Sequence, residues 1–207
     1  MAVLDVKLTD PEAHRLADMA GVHQDLRMVA ATAAQLSRRR EQKAPDMHVL
    51  EAMQDLALIR YGRCYKGGVR DAFPIPQEWI DALPAKLRQA HHDFLDLRDK
   101  HIAHSVNDWE VNMPVARVHV DEQTNDVTVK AVRVHKYRTL MIGSDWLEKL
   151  HRLAVTLADR VYEDIRREEE RLLEYAKKIP TEELKRRIKE DRPDWPGQRK
   201  VGKRRGR

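Results

Sequence analysis

The sequence has very little cysteine: Cys64 is the one thiol in 207 residues, so no disulfide within the chain can hold it together. Aromatic residues are also scarce, at 5%, and a core must be assembled from Leu, Val, Ala and Met. No apolar run approaches the roughly 20 residues that a membrane-spanning helix needs. The opening stretch MAVLDVKLTD has neither the basic start nor the apolar run of a secretory signal. A single cysteine and no export signal together predict a reducing, cytoplasmic location.

A charged field over the body is missing as well. Lys and Arg number 39 against 34 Asp and Glu, but the excess is confined to one end. Residues 192–207, RPDWPGQRKVGKRRGR, hold seven basic residues and one acidic, which leaves 32 basic and 33 acidic in residues 1–191. The body is close to neutral, so any polyanion it binds must be held by a local patch rather than by global attraction.

What is present is helical periodicity. TDPE at Thr9–Glu12 offers an N-cap oxygen, a proline in the first turn and a glutamate reaching back. Leu16, Met19, Ala20, Leu26, Ala30 and Ala33 then recur at helical spacing. Pro45 and Asp46 end this helix and cap a second one, with Val49, Leu50, Met53, Leu56 and Ala57 before Gly62. YGRCYKGGVRDAFPIP reads as a loop, QEWIDAL as a short helix, and Pro84 opens another with Leu87, Ala90, Phe94, Leu97 and His101 in a row.

The period then changes from helical to two. VARVHV and VTVKAVRVH alternate around DEQTND, which predicts a β-hairpin over 115–136. Gly143-Ser144-Asp145 starts a long helix with Trp146, Leu147, Leu150, Leu153, Ala154, Leu157, Val161 and Ile165 on one face. The expected fold is mainly α: an up-down helical bundle with one inserted β-hairpin and a long C-terminal helix. Three parts are expected: a helical domain over 1–165, a charged helical extension over 166–191 that projects or packs on a partner, and a basic disordered tail over 192–207.

The stretch with chemistry in it is DLRDKHIAHS, residues 96–105. On a regular helix at 100° per residue, Arg98 and His104 sit about 120° and roughly 9 Å apart. A long guanidinium can bridge that distance to a phosphate held by the imidazole. Arginine's planar fork matches phosphate oxygens, and histidine exchanges protons near neutral pH. The pair could cleave RNA without metal: one group serves the 2′-OH or the leaving 5′-oxygen, and the other stabilises charge on phosphorus. Asp99 could orient either group, and His101 could assist, although its place on the apolar row reads first as that of a packed, hydrogen-bonded side chain. The plainer reading of the decapeptide is a charged helix end favoured by the helix dipole.

LRDKHIAHS resembles the signature of HEPN domains, in particular those associated with abortive phage infection. That motif pairs an arginine and a polar residue with a histidine, with four to six residues between the arginine and the histidine; here Arg98 and His104 have five between them, and Asp99 follows the arginine. The resemblance implies a HEPN-like helical bundle, a homodimer whose motifs meet across the interface, and a metal-independent RNA endonuclease with no cofactor. Phage defence, a toxin–antitoxin pair with a neutralising protein partner, or a stress response would be its setting. Arg98 and His104 would be catalytic and Asp99 supporting. The alternative is a non-catalytic HEPN-like protein that binds RNA or nucleotides, or a dimeric scaffold.

Three further readings concern ligands. His92, Asp96 and Asp99 share a helix face near His101 and His104, a row from which a metal could take ligands. Arg63, Lys66 and Arg70 around Gly67-Gly68 could meet phosphate, or simply form a connecting loop. In the tail, Arg199, Lys200, Lys203, Arg204 and Arg205, with Trp195 nearby, could grip RNA or only keep the chain soluble.

Overall fold

A computed structural model describes residues 4–65, 72–102, 110–138 and 142–190. The fold is mainly helical with a single two-stranded antiparallel ribbon among the described residues. Helices α1 (Pro11–Arg40), α2 (Met47–Arg63), α4 (Ala85–Leu97) and α5 (Ser144–Ala176) enclose one core, with the short α3 (Gln77–Asp81) on its flank. A π-helical turn, Arg98–Ile102, follows α4 directly. Strands β1 (Glu110–Val120) and β2 (Val127–Arg138) precede α5, and α6 (Thr181–Glu190) follows it. No helix among the described residues is long and apolar enough to cross a membrane.

The core follows from helical periodicity with two corrections. On α1 the buried row is Met19, Val22, Leu26, Val29, Ala33 and Leu36, and Ala20 faces solvent. On α2 the buried row is Leu50, Gln54, Ala57, Leu58 and Tyr61, whereas Val49 and Leu56 are exposed. The shift has a physical cause. Gln54 is polar yet buried, because its Oε1 accepts a hydrogen bond from the Ile142 N–H at 2.7 Å. Arg40 donates to the Ile142 carbonyl at 2.6 Å, so both backbone groups of the residue leading into α5 are satisfied inside the protein.

Helix starts follow their chemistry in one case and depart from it in another. Asp46 caps α2, accepting from the His48 and Val49 N–H groups at 3.0 and 3.2 Å. Asp10 stands at the N-cap of α1, but its carboxylate makes no cap hydrogen bond. Instead it takes two from Arg187 of α6, at 2.6 and 3.0 Å. Arg187 also donates to Glu183 at 2.7 Å. Arg187 holds Asp10, and Arg186 together with Arg187 holds Glu183, each at about 2, below the ordinary carboxylate range.

That clamp corrects the expected projection of residues 166–191. α5 runs unbroken through position 165 to Ala176, with Leu172 buried, and Arg171 donates to the Glu12 carbonyl at 2.9 Å. The charged continuation is bound back onto the start of α1 by guanidinium–carboxylate and guanidinium–carbonyl bonds, which hydrophobic periodicity does not register. Since α1 meets the end of α5 at Glu12 and its beginning near Ala30, whose carbonyl lies 3.0 Å from His151 Nδ1, the two helices are antiparallel.

The ribbon is longer than its alternating segments. It begins at Glu110 rather than 115 and takes Pro114 into β1. Its turn is fixed by Asp121, which accepts from the N–H groups of Gln123 and Thr124 at 2.9 and 3.2 Å, and by Asn125, which adopts φ 59°. The tail 192–207 lies outside the described residues.

Candidate functional site

The site begins with a glycine. Gly62 lies in the last turn of α2, inside the helix and not in a loop as its neighbours suggested. A β-carbon there would stand 3.1 Å from Arg98 Cδ and 3.2 Å from Arg98 Cγ. The bare backbone of α2 is therefore the bed on which the arginine's aliphatic stem lies. From that bed the guanidinium reaches Asp99, donating from Nη1 to Oδ1 at 2.7 Å. The pair is partly open to solvent, with side-chain exposures of 29% and 32%. It is not an ion pair sealed in the interior.

The backbone under this pair departs from expectation. α4 ends at Leu97, and Arg98–Ile102 forms a π turn. Hydrogen bonds from i to i+5 widen such a turn, so 100° per residue no longer holds beyond Leu97. The separation worked out for Arg98 and His104 on a regular helix does not carry over. His101 is described by its backbone alone, within the π turn. His104 lies outside the described residues. π turns are rare and occur often at functional sites.

Beneath Arg98 lies a buried polar chain that apolar periodicity passes over. His91, Phe94 and Arg98 follow one another at three and four residues on the side of α4 that meets α2. Tyr65 donates to the Tyr61 hydroxyl at 3.3 Å, and the Tyr61 hydroxyl lies 2.8 Å from His91 Nδ1. Burial, with a smaller contribution from His92, lowers His91 to about 4. The imidazole is neutral, and Nδ1 shares one hydrogen with the Tyr61 hydroxyl. Burial also pushes both tyrosine hydroxyls above their ordinary value.

Three aromatic contacts fix the chain: Tyr65 with His91 at 4.7 Å, Tyr61 with Phe94 at 6.1 Å, and Phe94 with Trp146 at 5.5 Å. Because His91 is depressed in the fold, the unfolded chain takes up its proton first as pH falls. Stability is therefore expected to decline from the ordinary histidine value of 6.5 toward about 4. Thermal melts across that window should show the slope in the parent and a flatter one in His91→Phe.

The remaining sequence candidates fall into three groups. Arg63 ends α2 and points a half-exposed guanidinium at the buried Asp25, 3.6 Å away. Arg60 reaches the same carboxylate at 2.8 Å. Lys66 and Arg70 lie outside the described residues, as do Arg199, Lys200, Lys203, Arg204 and Arg205. The supposed metal row is spread over other contacts: Asp96 accepts from Lys100 at 2.6 Å, Asp99 from Arg98, and the His92 ring rests 5.1 Å from that of His91. Among the described residues, no three His, Cys, Asp or Glu side chains are grouped to hold a metal ion.

Compared with known proteins, the chain matches no family model, no curated protein and no solved structure. The reading of the site thus rests on its geometry and on its motif.

Sequence reasoning named Arg98 and Asp99, and the structure brings them together. It missed Gly62, Tyr61, Tyr65, His91, Arg60 and Asp25. Two signals were available for them. His91 stands seven residues before Arg98, on the same side of a helix, and Tyr61 stands four before Tyr65. Cys64, the single thiol, is buried: it is 4% exposed and lies 3.4 Å from the Arg60 carbonyl.

Proposed function

We propose that this chain is a metal-independent RNA endonuclease of the HEPN type, with Arg98 and His104 as catalytic groups, Asp99 supporting the arginine and His101 assisting. One observation carries the reading. The arginine of the LRDKHIAHS motif is held before any ligand arrives, its stem over Gly62 and its guanidinium on Asp99, yet its head stays partly in solvent on a π turn. Pre-oriented charge costs no reorganisation when negative charge builds on phosphorus, which is where a guanidinium contributes most.

The chemistry balances without an outside reagent. The 2′-oxygen attacks the adjacent phosphorus as its proton leaves, and the bond to the 5′-oxygen breaks as that oxygen gains a proton. The imidazole of His104 handles one of these protons, and Arg98 stabilises the extra charge on the non-bridging oxygens. The products are a 2′,3′-cyclic phosphate and a 5′-hydroxyl. A homodimer would let the motifs of two subunits share a cleft, and a neutralising partner would fit a toxin of phage defence or stress response.

The test uses full-length protein and total RNA in EDTA, beside DNA of matching sequence. Cleavage of RNA alone, ending in cyclic phosphate and lost in His104→Ala, is the expected result. Cleavage that survives in His104→Ala removes that residue from the mechanism. RNA retained uncut by the parent protein leaves the non-catalytic RNA-binding scaffold as the better account, and an EDTA-sensitive activity points to metal.

A further inference from the structure

The ribbon raises a separate question, because its apolar face is exposed and no described helix packs along it. On β2 the valines change parity, with Val127 and Val129 at odd positions and Val132 and Val134 at even ones. A regular strand would divide them between opposite faces. The ladder avoids this. Val118 pairs with Val129, but the preceding Arg117 pairs with Ala131, so Lys130 is an extra residue with no opposite number. That bulge re-phases the strand. Val118, Val120, Val127, Val129, Val132 and Val134 come to one face, and each is between 46% and 73% exposed. No helix packs along the ribbon among the described residues. A two-stranded ribbon by itself is marginal in water and needs a covered face.

We propose that this valine face docks against the same face of a second copy, with the two ribbons running in opposite directions about a two-fold axis. Three observations select that occupant. The first is charge. The turn, 121–126, holds Asp121, Glu122 and Asp126 and no base, while the opposite end of the ribbon carries Lys136 and Arg138 against Glu110. An antiparallel pair sets the acidic tip of each ribbon beside the basic base of the other. The second is the condition of the edges. Pro114 removes a donor from β1, and the bulge at Lys130 interrupts β2; both discourage addition of a further strand and leave the face as the usable surface. The third is self-complementarity. A face of valines meets its own copy residue for residue, as an isologous contact requires.

The area sets the strength. A ribbon with 11 paired positions is about 37 Å long and roughly 10 Å wide. Two such faces together cover roughly 700 Å², short of the about 1,200–2,000 Å² of a stable standard interface. The association through this face is consequently reversible and concentration-dependent. It is independent of whether the chain cleaves RNA.

The experiment is sedimentation of the full chain over a concentration series reaching roughly 1 mM. The mass is expected to rise with concentration above that of the dilute species, and the double variant Val129→Lys/Val132→Lys is expected to lose that rise with an unchanged thermal melt, since both side chains are exposed within one subunit. Under mild oxidation Val132→Cys, near the ribbon centre, should cross-link to itself, and Val127→Cys, at the tip, should not. A parent whose mass does not rise across the series, or a lysine double variant whose mass rises as the parent's does, overturns the proposal. Self-cross-linking of Val127→Cys in place of Val132→Cys overturns the antiparallel arrangement.

Discussion

Gly62→Ala is expected to lower RNA cleavage by about 10- to 100-fold while the melting temperature holds or rises slightly. The added methyl would meet Arg98 Cδ and Cγ at 3.1 and 3.2 Å, tighter than ordinary packing, and the arginine stem is the more yielding partner. A displaced stem moves the guanidinium, and a shift of about 1 Å in a catalytic group can cost on the order of 100-fold. Stability moves the other way, because alanine in a helix is favoured over glycine by up to about 1 kcal/mol. Falling activity with preserved stability separates a positioning role for Gly62 from damage to the fold. Arg98→Ala is expected to lose about 10²–10³-fold, the scale for removal of one transition-state donor. The double variant should lose no more than Arg98→Ala alone, since Gly62 acts only through the side chain it beds. Additive losses, or a fully active Gly62→Ala, would sever the glycine from the chemistry.

The legible part of this fold is the part written in apolar spacing. Leu147, Leu150, Leu153, Leu157 and Val161 keep strict helical spacing, and all are buried on α5. The change to alternation marked the ribbon, because valines spaced by two can only share a strand face. What spacing could not show is where polar groups close the structure. Gln54 is buried because a carboxamide can satisfy Ile142, 88 positions away, and no local pattern encodes that partner. Arg187 and Asp10 are separated by 177 positions and similarly invisible to each other in sequence. In the site, the motif gave Arg98 and Asp99, but the notch in which Arg98 lies is an absence of atoms at Gly62. A glycine beside Arg63 and Cys64, shortly before Gly67-Gly68, read as part of a flexible loop. The bulge at Lys130 belongs to the same class. It is visible only as a change of parity among valines, which acquires meaning once the ladder is known.

Arg60→Met is expected to destabilise the protein by about 3 kcal/mol, at the lower end of the range for breaking a buried ion pair from one side. Asp25 is 2% exposed in the middle of α1, and Arg60 Nη1 lies 2.8 Å from its Oδ1. Removing the guanidinium leaves a carboxylate out of water with Arg63 as a remaining cation at 3.6 Å, so the loss falls short of the full penalty. For a chain of this length the melting temperature should drop by roughly 6–12 °C. Adding Asp25→Leu to Arg60→Met should restore much of that loss, because the expensive species is the buried carboxylate that has lost its nearest guanidinium and not the missing attraction. The thermodynamic cycle of the two single variants and the double variant measures that coupling directly. An Arg60→Met melt within experimental error of the parent would show that Asp25 is satisfied without Arg60. The pair matters to the site because Arg60 and Arg63 flank Gly62 on α2, and Asp25 draws both toward α1. On the side of Gly62 where Arg98 lies, its guanidinium is held by its own adjacent carboxylate, and its aim is set by the α2 backbone.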